Sequence, residues 1–178
     1  MEIRNIGKIR HLIPTHIAEM LVSSLVLSKL DYCNALLVNS SKENKKRLQV
    51  AQNNAARLVL KKKKREHATP MLYALHWLPV EKRIVYKICS LVYKCLNTDC
   101  PEYLKELIDI YVPSRSLRSS EIKDTLKSPT IPRKIGEQSF FFSAPHFWNS
   151  LPGHVRTSES ISIFKSRLKF YLFPSLDK

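Results

Sequence analysis

Helical periodicity dominates this sequence and predicts a mainly α protein. Apolar residues recur every three or four positions through successive stretches, and Pro14, Pro70 and Pro101 punctuate those stretches. With 44% apolar residues, the composition supports a real core. The expected organisation is a helical bundle over residues 1–111, a linker over 112–138 with a short β-hairpin, and a small aromatic-rich helical tail over 139–178.

The first expected helix runs from Pro14 to Leu30, since Pro suits the first helical turn. Ile17, Met20, Leu21, Ser24, Leu25 and Ser28 repeat at helical spacing, and Val22 and Val26 widen the apolar surface, so this helix packs on more than one side. Asp31 is placed to cap a short helix ending at Leu37 or Val38. His11 and His16 flank the start, but lack the carboxylate or thiolate companions that a metal site needs.

The stretch from Ser41 to Pro70 carries the strongest signal. Ser41 is a candidate N-cap, with Asn44 rather than Glu three residues on, so the capping box is incomplete. At about 100° per residue, Leu48, Ala51, Ala55, Leu58 and Val59 share one face. Lys46, Arg57, Lys61 and Lys64 fall roughly opposite, and the helix is expected to end in Lys61, Lys62, Lys63, Lys64 and Arg65. Residues 41–65 hold ten Lys or Arg and one acid, Glu43, so 10 − 1 = +9 of the formal +15 sits here. Cations in a last turn suit the negative end of the macrodipole, but that explains two or three lysines and not five consecutive cations. A surface facing a polyanion explains them better.

After Pro70 come a short turn, Met71 to Leu75, and then Trp77 beside Leu78 and Pro79. A Trp at such a connection plugs the junction between helices; stacking on a nucleobase is the rival reading. Val80, Ile84, Ile88, Leu91, Val92 and Cys95 form the stripe of the next helix, about Pro79 to Asn97, with Lys82, Arg83, Lys87 and Lys94 on its other side. Pro101 opens a helix through Tyr111, with Tyr103, Leu104, Leu107 and Ile108 turned inward. Residues 112–138 hold three prolines and five serines, and Thr125 to Ile131 is the best strand candidate. Arg115, Arg118, Lys123, Lys127, Arg133 and Lys134 lie along this segment; following a phosphate backbone and being a plain solvated linker are both open to it. Phe140, Phe141, Phe142, Phe147 and Trp148 gather in one helical segment. Ser158 is a candidate cap for a final helix with Ile161, Phe164, Leu168, Tyr171 and Leu172 on one face.

A net charge of +15 and a pI of about 9.8 point to nucleic acid first and an anionic membrane second. No apolar run is long enough for a transmembrane helix, and Met1 to Arg10 holds no signal-peptide core, so an intracellular protein, nuclear or cytoplasmic, is expected. Cys33, Cys89, Cys95 and Cys100 are then expected to be reduced thiols, the last three spaced C-x5-C-x4-C without a zinc-type C-x2-C pair. Glu102, Glu106 and Asp109 would share a face of the Pro101–Tyr111 helix, where an acidic solvated surface is favoured over a cation site. Phosphate-binding glycine motifs are absent, and no Asp-Asp pair is present to hold two metals.

Six segments stand in a telling order: LVLSKLDYCNALL at 25–37, LQVAQNNAARLVL at 48–60, HATPMLYALHWLPVEKRIVYKI at 67–88, PSRSLRSS at 113–120, SFFFSAPHFWNSLPGHVR at 139–156 and SISIFKSRLKFYLF at 160–173. Together, from about residue 3 to residue 173, they closely resemble the C-terminal end of reverse transcriptases from animal non-LTR retrotransposons of the jockey, CR1 and L2 type. The resemblance implies thumb-like helices over 1–111 and a C-terminal extension that contacts template RNA or target DNA. It also implies that the catalytic palm, with its Tyr/Phe-Ala-Asp-Asp motif, and the endonuclease are missing. The parent polymerase would use Mg²⁺; this chain is expected to have no catalytic residue, no metal and no cofactor of its own.

The expected function is therefore non-catalytic binding of the RNA or DNA backbone through Lys46, Arg57, Lys61, Lys62, Lys63, Lys64, Arg65, Arg115, Arg118, Arg133 and Lys134. The missing palm domain is the other expected partner, and neither a membrane nor a small-molecule substrate is expected. The alternatives are a helical scaffold for protein interaction and a pseudogene product with no function of its own.

Overall fold

The structure, a computed structural model, describes residues 2–98, 100–112, 125–129 and 140–173. The protein is mainly helical. By packing, the chain divides into two compact units, residues 1–84 and residues 85–173. The three-part division read from composition turns on the linker 112–138, most of which lies outside the described residues.

The first unit opens with a helix that the sequence reading did not expect, α1 (Glu2–Ile9), which buries Ile6. Next, α2 (Thr15–Val22) runs through a π-helical turn (Ser23–Leu27) into α3 (Ser28–Asp31). The buried face here differs from the expected stripe. Ala18, Val22, Val26 and Leu27 are inside, whereas Met20, Ser24, Leu25 and Ser28 are exposed. Valine and alanine pack closely, and the π turn inserts an extra residue that carries Leu27 inward beside Val26.

Asp31 does not cap the short 3₁₀ helix Asn34–Leu37; the preceding Cys33 holds the N-cap position in a left-handed conformation, with φ of 51°. The Asp31 carboxylate is taken by Arg83, whose Nε and NH2 donate to its two oxygens at 2.8 and 2.6 Å. This fork is the bidentate geometry that suits guanidinium and carboxylate.

Helix α4 (Lys42–Val59) starts as expected, with the Ser41 hydroxyl accepting from the Asn44 amide. Its most buried residues are Gln52, Ala55, Ala56 and Val59, while Leu48, Ala51 and Leu58 are only half-buried. The alanines let α1 and α2 approach closely. Gln52 is 0% exposed and fully engaged: its amide donates to the Leu78 carbonyl at 2.8 Å and its oxygen accepts from Gln49 at 3.0 Å. The Gln49 oxygen in turn accepts the Val80 amide at 2.9 Å. That amide opens the next helix and has no partner within it, so a side chain of α4 serves as its cap.

Helix α5 (Thr69–Ala74) follows, and Met71, Leu72, Leu75 and Trp77 join Ile6, Val22, Val26, Leu27, Ala55, Ala56 and Val59 in one core. Trp77 is 6% exposed, so the junction-plug reading holds and no face is left for base stacking. Helix α6 (Val80–Asn97) has most of its expected stripe: Val80, Ile84, Ile88, Val92 and Cys95 are buried, and Leu91 is half-buried.

The second unit takes the larger part of α6. The Tyr93 ring stacks on Phe164 at 4.4 Å between centroids, and its hydroxyl donates to the Ser158 carbonyl at 2.8 Å. The helix expected from Pro101 to Tyr111 is a single turn, α7 (Glu102–Lys105). Beyond it, Ile110 makes an antiparallel bridge with Leu126, and Tyr103 points into solvent. The expected hairpin strand Thr125–Ile131 shows only this bridge among the described residues; Thr130 and Ile131 lie outside them. Asn149 fixes Leu126 by accepting its amide and donating to its carbonyl, both at 2.8 Å. The aromatic tail forms α8 (Phe140–Asn149), α9 (Gly153–Arg156) and α10 (Ile161–Leu172). Trp148, Phe164, Leu168 and Leu172 are buried. Ser160, not Ser158, caps α10, accepting from the Ile163 amide; Ser158 is buried and its hydroxyl donates to the Val155 carbonyl.

Candidate nucleic-acid interface

The five-cation run is a loop, where the sequence reading expects helix. Helix α4 stops at Val59, and Lys61 turns left-handed with φ of 53°. The Lys62 amide donates back to the Arg57 carbonyl at 2.9 Å and the Lys61 amide to the Leu58 carbonyl at 3.4 Å. This is the Schellman termination, with lysine where glycine is the usual residue. The same device closes α5: His76 has φ of 53°, its amide donates to the Tyr73 carbonyl, and the Trp77 amide donates to Leu72.

What stops α4 comes from far away in the chain. Arg10 is 6% exposed, and its guanidinium donates to the carbonyls of Leu58, Val59 and Ile13 and to the Thr15 hydroxyl, at 3.0, 2.6, 2.8 and 3.1 Å. Leu58 and Val59 are the last residues of α4, whose carbonyls have no partner inside the helix. A buried cation there also meets the negative end of the helix dipole. Nothing in the run of early charges marks Arg10 as different from its exposed neighbours Arg4 and Lys8.

Glu66 clasps the loop. Its carboxylate accepts the Lys63 amide at 2.7 Å and pairs with the Lys62 ammonium at 3.5 Å, its amide donates to the Lys63 carbonyl, and its carbonyl accepts from Arg57 Nε and NH2. The Lys63 amide, with a smaller contribution from the charge of Lys62, holds the Glu66 carboxyl below the ordinary glutamate range. The single acid ending KKKKRE was the available clue to this role.

Lys61, Lys62, Lys63, Lys64 and Arg65 are all exposed. Among the described residues, ion pairs engage Lys29, Lys62 and Arg83, and none engages Lys61, Lys63, Lys64 or Arg65. Arg57 is different: half-buried, it spends its guanidinium on Glu66 and Asn54. Lys46 is exposed near the other end of α4, about 20 Å along the helix axis at 1.5 Å per residue. Arg115, Arg118, Arg133 and Lys134 lie outside the described residues. The structure therefore groups the five consecutive cations on one clasped turn, keeps Lys46 apart and turns Arg57 to holding that turn.

The other candidate clusters come apart. Glu102 lies in α7, but Glu106 and Asp109 follow its end, so the three carboxylates share no helical face. Among the described residues no group of three or more His, Cys, Asp or Glu could hold a metal ion, and no helix is long and apolar enough to cross a membrane. No family model, curated protein or solved structure matches the chain.

Proposed function

We propose that this chain is a non-catalytic nucleic-acid-binding protein that holds RNA or DNA by its phosphates, with the Lys61–Arg65 loop as the principal contact. One observation supports this above the rest: five consecutive cations stand exposed on a turn whose backbone is fixed by Arg57 and Glu66. Fixing the turn beforehand lowers the ordering entropy that binding must overcome. Each cation that meets a phosphate displaces a condensed counterion, so affinity falls with salt. The chain's origin, on this reading, is the C-terminal region of a non-LTR retrotransposon reverse transcriptase, which its ordered segments resemble. An upstream reading frame encoding a palm would test that origin.

The binding test replaces Lys61 to Arg65 with Gln, which keeps the residues' length and removes charge. If three of the five reach phosphates, the slope of log affinity against log salt should fall by about two to three units, at about 0.9 per contact on duplex DNA and 0.7 on single strands. Losses should be similar on any sequence. Circular dichroism should be almost unchanged, because the replaced side chains are exposed. An unchanged slope means that the run is merely solvated, and a loss confined to one sequence means that bases are read elsewhere.

A second reading, a protein-interaction scaffold, draws on the exposed apolar residues Leu12, Tyr32 and Leu36 of the first unit. It demands partner binding that persists in high salt and survives the Gln substitutions.

A further inference from the structure

We infer that Cys95 and Cys100 are a reactive dithiol, which a low-molecular-weight disulfide such as oxidised glutathione converts to an intrachain disulfide. The two sulfurs lie 2.9 Å apart in hydrogen-bond contact. A disulfide needs about 2.05 Å, so bond formation asks for a closing movement of only about 1 Å. Cys95 sits near the end of α6, and Cys100 lies between helices, just before Pro101 at the start of α7. A residue outside a helix can shift without breaking the helical ladder, and Cys100 is the residue that would move. Of the other two thiols, Cys33 is exposed and belongs to the first unit, and Cys89 is sealed in α6, where burial pushes its thiol up to about 12.

The chemistry has a definite order. Burial, and then the contact with Cys100, push the Cys95 thiol up to about 12, so Cys95 is the poor first nucleophile. Cys100 is the more exposed of the two. Its thiolate attacks one sulfur of oxidised glutathione, forming a mixed disulfide and breaking the reagent's S–S bond, with release of one glutathione thiolate. Cys95 then gives its proton to solvent and attacks the Cys100 sulfur. The Cys95–Cys100 bond forms and the second glutathione leaves. The protein has lost two hydrogens and two electrons, and the reagent has become two thiols. The second attack is intramolecular between neighbouring sulfurs, which compensates for the high proton affinity of Cys95. The product ties the last turn of α6 to the start of α7.

The test uses the reduced full-length chain, incubated with oxidised and reduced glutathione in graded ratios, alkylated and digested with trypsin. Cleavage after Lys94 and Lys105 places both cysteines on one peptide, 95–105, while Cys33 and Cys89 fall on others. The expected result is a 95–105 peptide lighter by two hydrogens and closed to alkylation, reversed by a reducing agent. Cys95→Ser should instead stall at a stable glutathione adduct on Cys100. Cys100→Ser, at the more exposed position, should lose the disulfide and leave Cys95 without an adduct in the folded protein. Alkylation of both sulfurs at every ratio, or a lasting glutathione adduct on wild-type Cys100, overturns the inference.

Discussion

Replacing Arg10 with Ala should remove a large part of the first unit's stability. The side chain is almost wholly enclosed and makes four hydrogen bonds, three of them to backbone carbonyls. Alanine leaves the Val59 carbonyl, the acceptor of the shortest and most buried bond, with no donor, and strips Ile13 and Leu58 of theirs from this side. A net bond from a charged donor contributes about 1.5–3 kcal/mol, and each buried group left unpaired costs about 1–3 kcal/mol. Water will reach some of the vacated acceptors, so a total of about 3–5 kcal/mol is expected, well below the simple sum. At roughly 0.05–0.15 kcal/mol per residue, a unit of 84 residues has about 4–13 kcal/mol to lose from. Urea melts of the full chain followed by circular dichroism, extrapolated linearly, measure the difference. Arg10→Lys should recover less than half, because one ammonium cannot reproduce the guanidinium fork. Lys8→Ala, at an exposed position in α1 just before Arg10, should change stability by less than about 0.5 kcal/mol. If Arg10→Ala melts within about 1 kcal/mol of wild type, the account of how α4 ends is wrong.

Three further outcomes follow from the same geometry. Trp77→Ala should cost about 3–5 kcal/mol, since it empties a large site in the shared core; a wild-type melting curve would contradict its burial. Lys61→Gly should raise stability by roughly 0.5–1 kcal/mol, because the position is left-handed and glycine adopts that region without a Cβ penalty; a lowered melting temperature would count against the Schellman assignment. Glu66 has a depressed carboxyl pKa, so its support of the loop is present above the ordinary glutamate value of about 4.3 and is lost as pH falls through the lower folded value. The Lys63 amide should therefore shift in NMR spectra as the solution is acidified below the ordinary glutamate range, and Glu66→Gln should abolish that shift; an amide that does not move on acidification refutes the clasp.

How much of this was legible depends on the range of the forces involved. The stripe Val80, Ile84, Ile88 and Val92 repeats every fourth residue, so α6 was readable from spacing alone. So was the Ser41 cap, whose partner is three residues away. Local pattern misled where a distant group decides. Glu102 to Ile108 reads as helix, yet the backbone beyond α7 pairs with Leu126, itself held by Asn149. Apolarity put Leu48, Ala51 and Leu58 on the α4 core face, yet they are only half-buried and Gln52 is inside, because the Leu78 carbonyl and Gln49 satisfy its amide.

The end of α4 is the most consequential case. Lysine and arginine are good helix formers and no glycine stands between Ser41 and Pro70, so every local signal continues the helix to Arg65. Arg10, about fifty residues earlier, takes the last carbonyls instead, and Glu66 fastens the chain beyond them. A continuing helix would rotate five consecutive residues around its axis by about 100° each, spreading their charge over every side. Ending it at Val59 leaves all five cations exposed on one short loop. The long-range hydrogen bonds of Arg10 hid the helix end from a reading of the sequence, and together with the local clasp of Arg57 and Glu66 they gather the charge into a single surface feature.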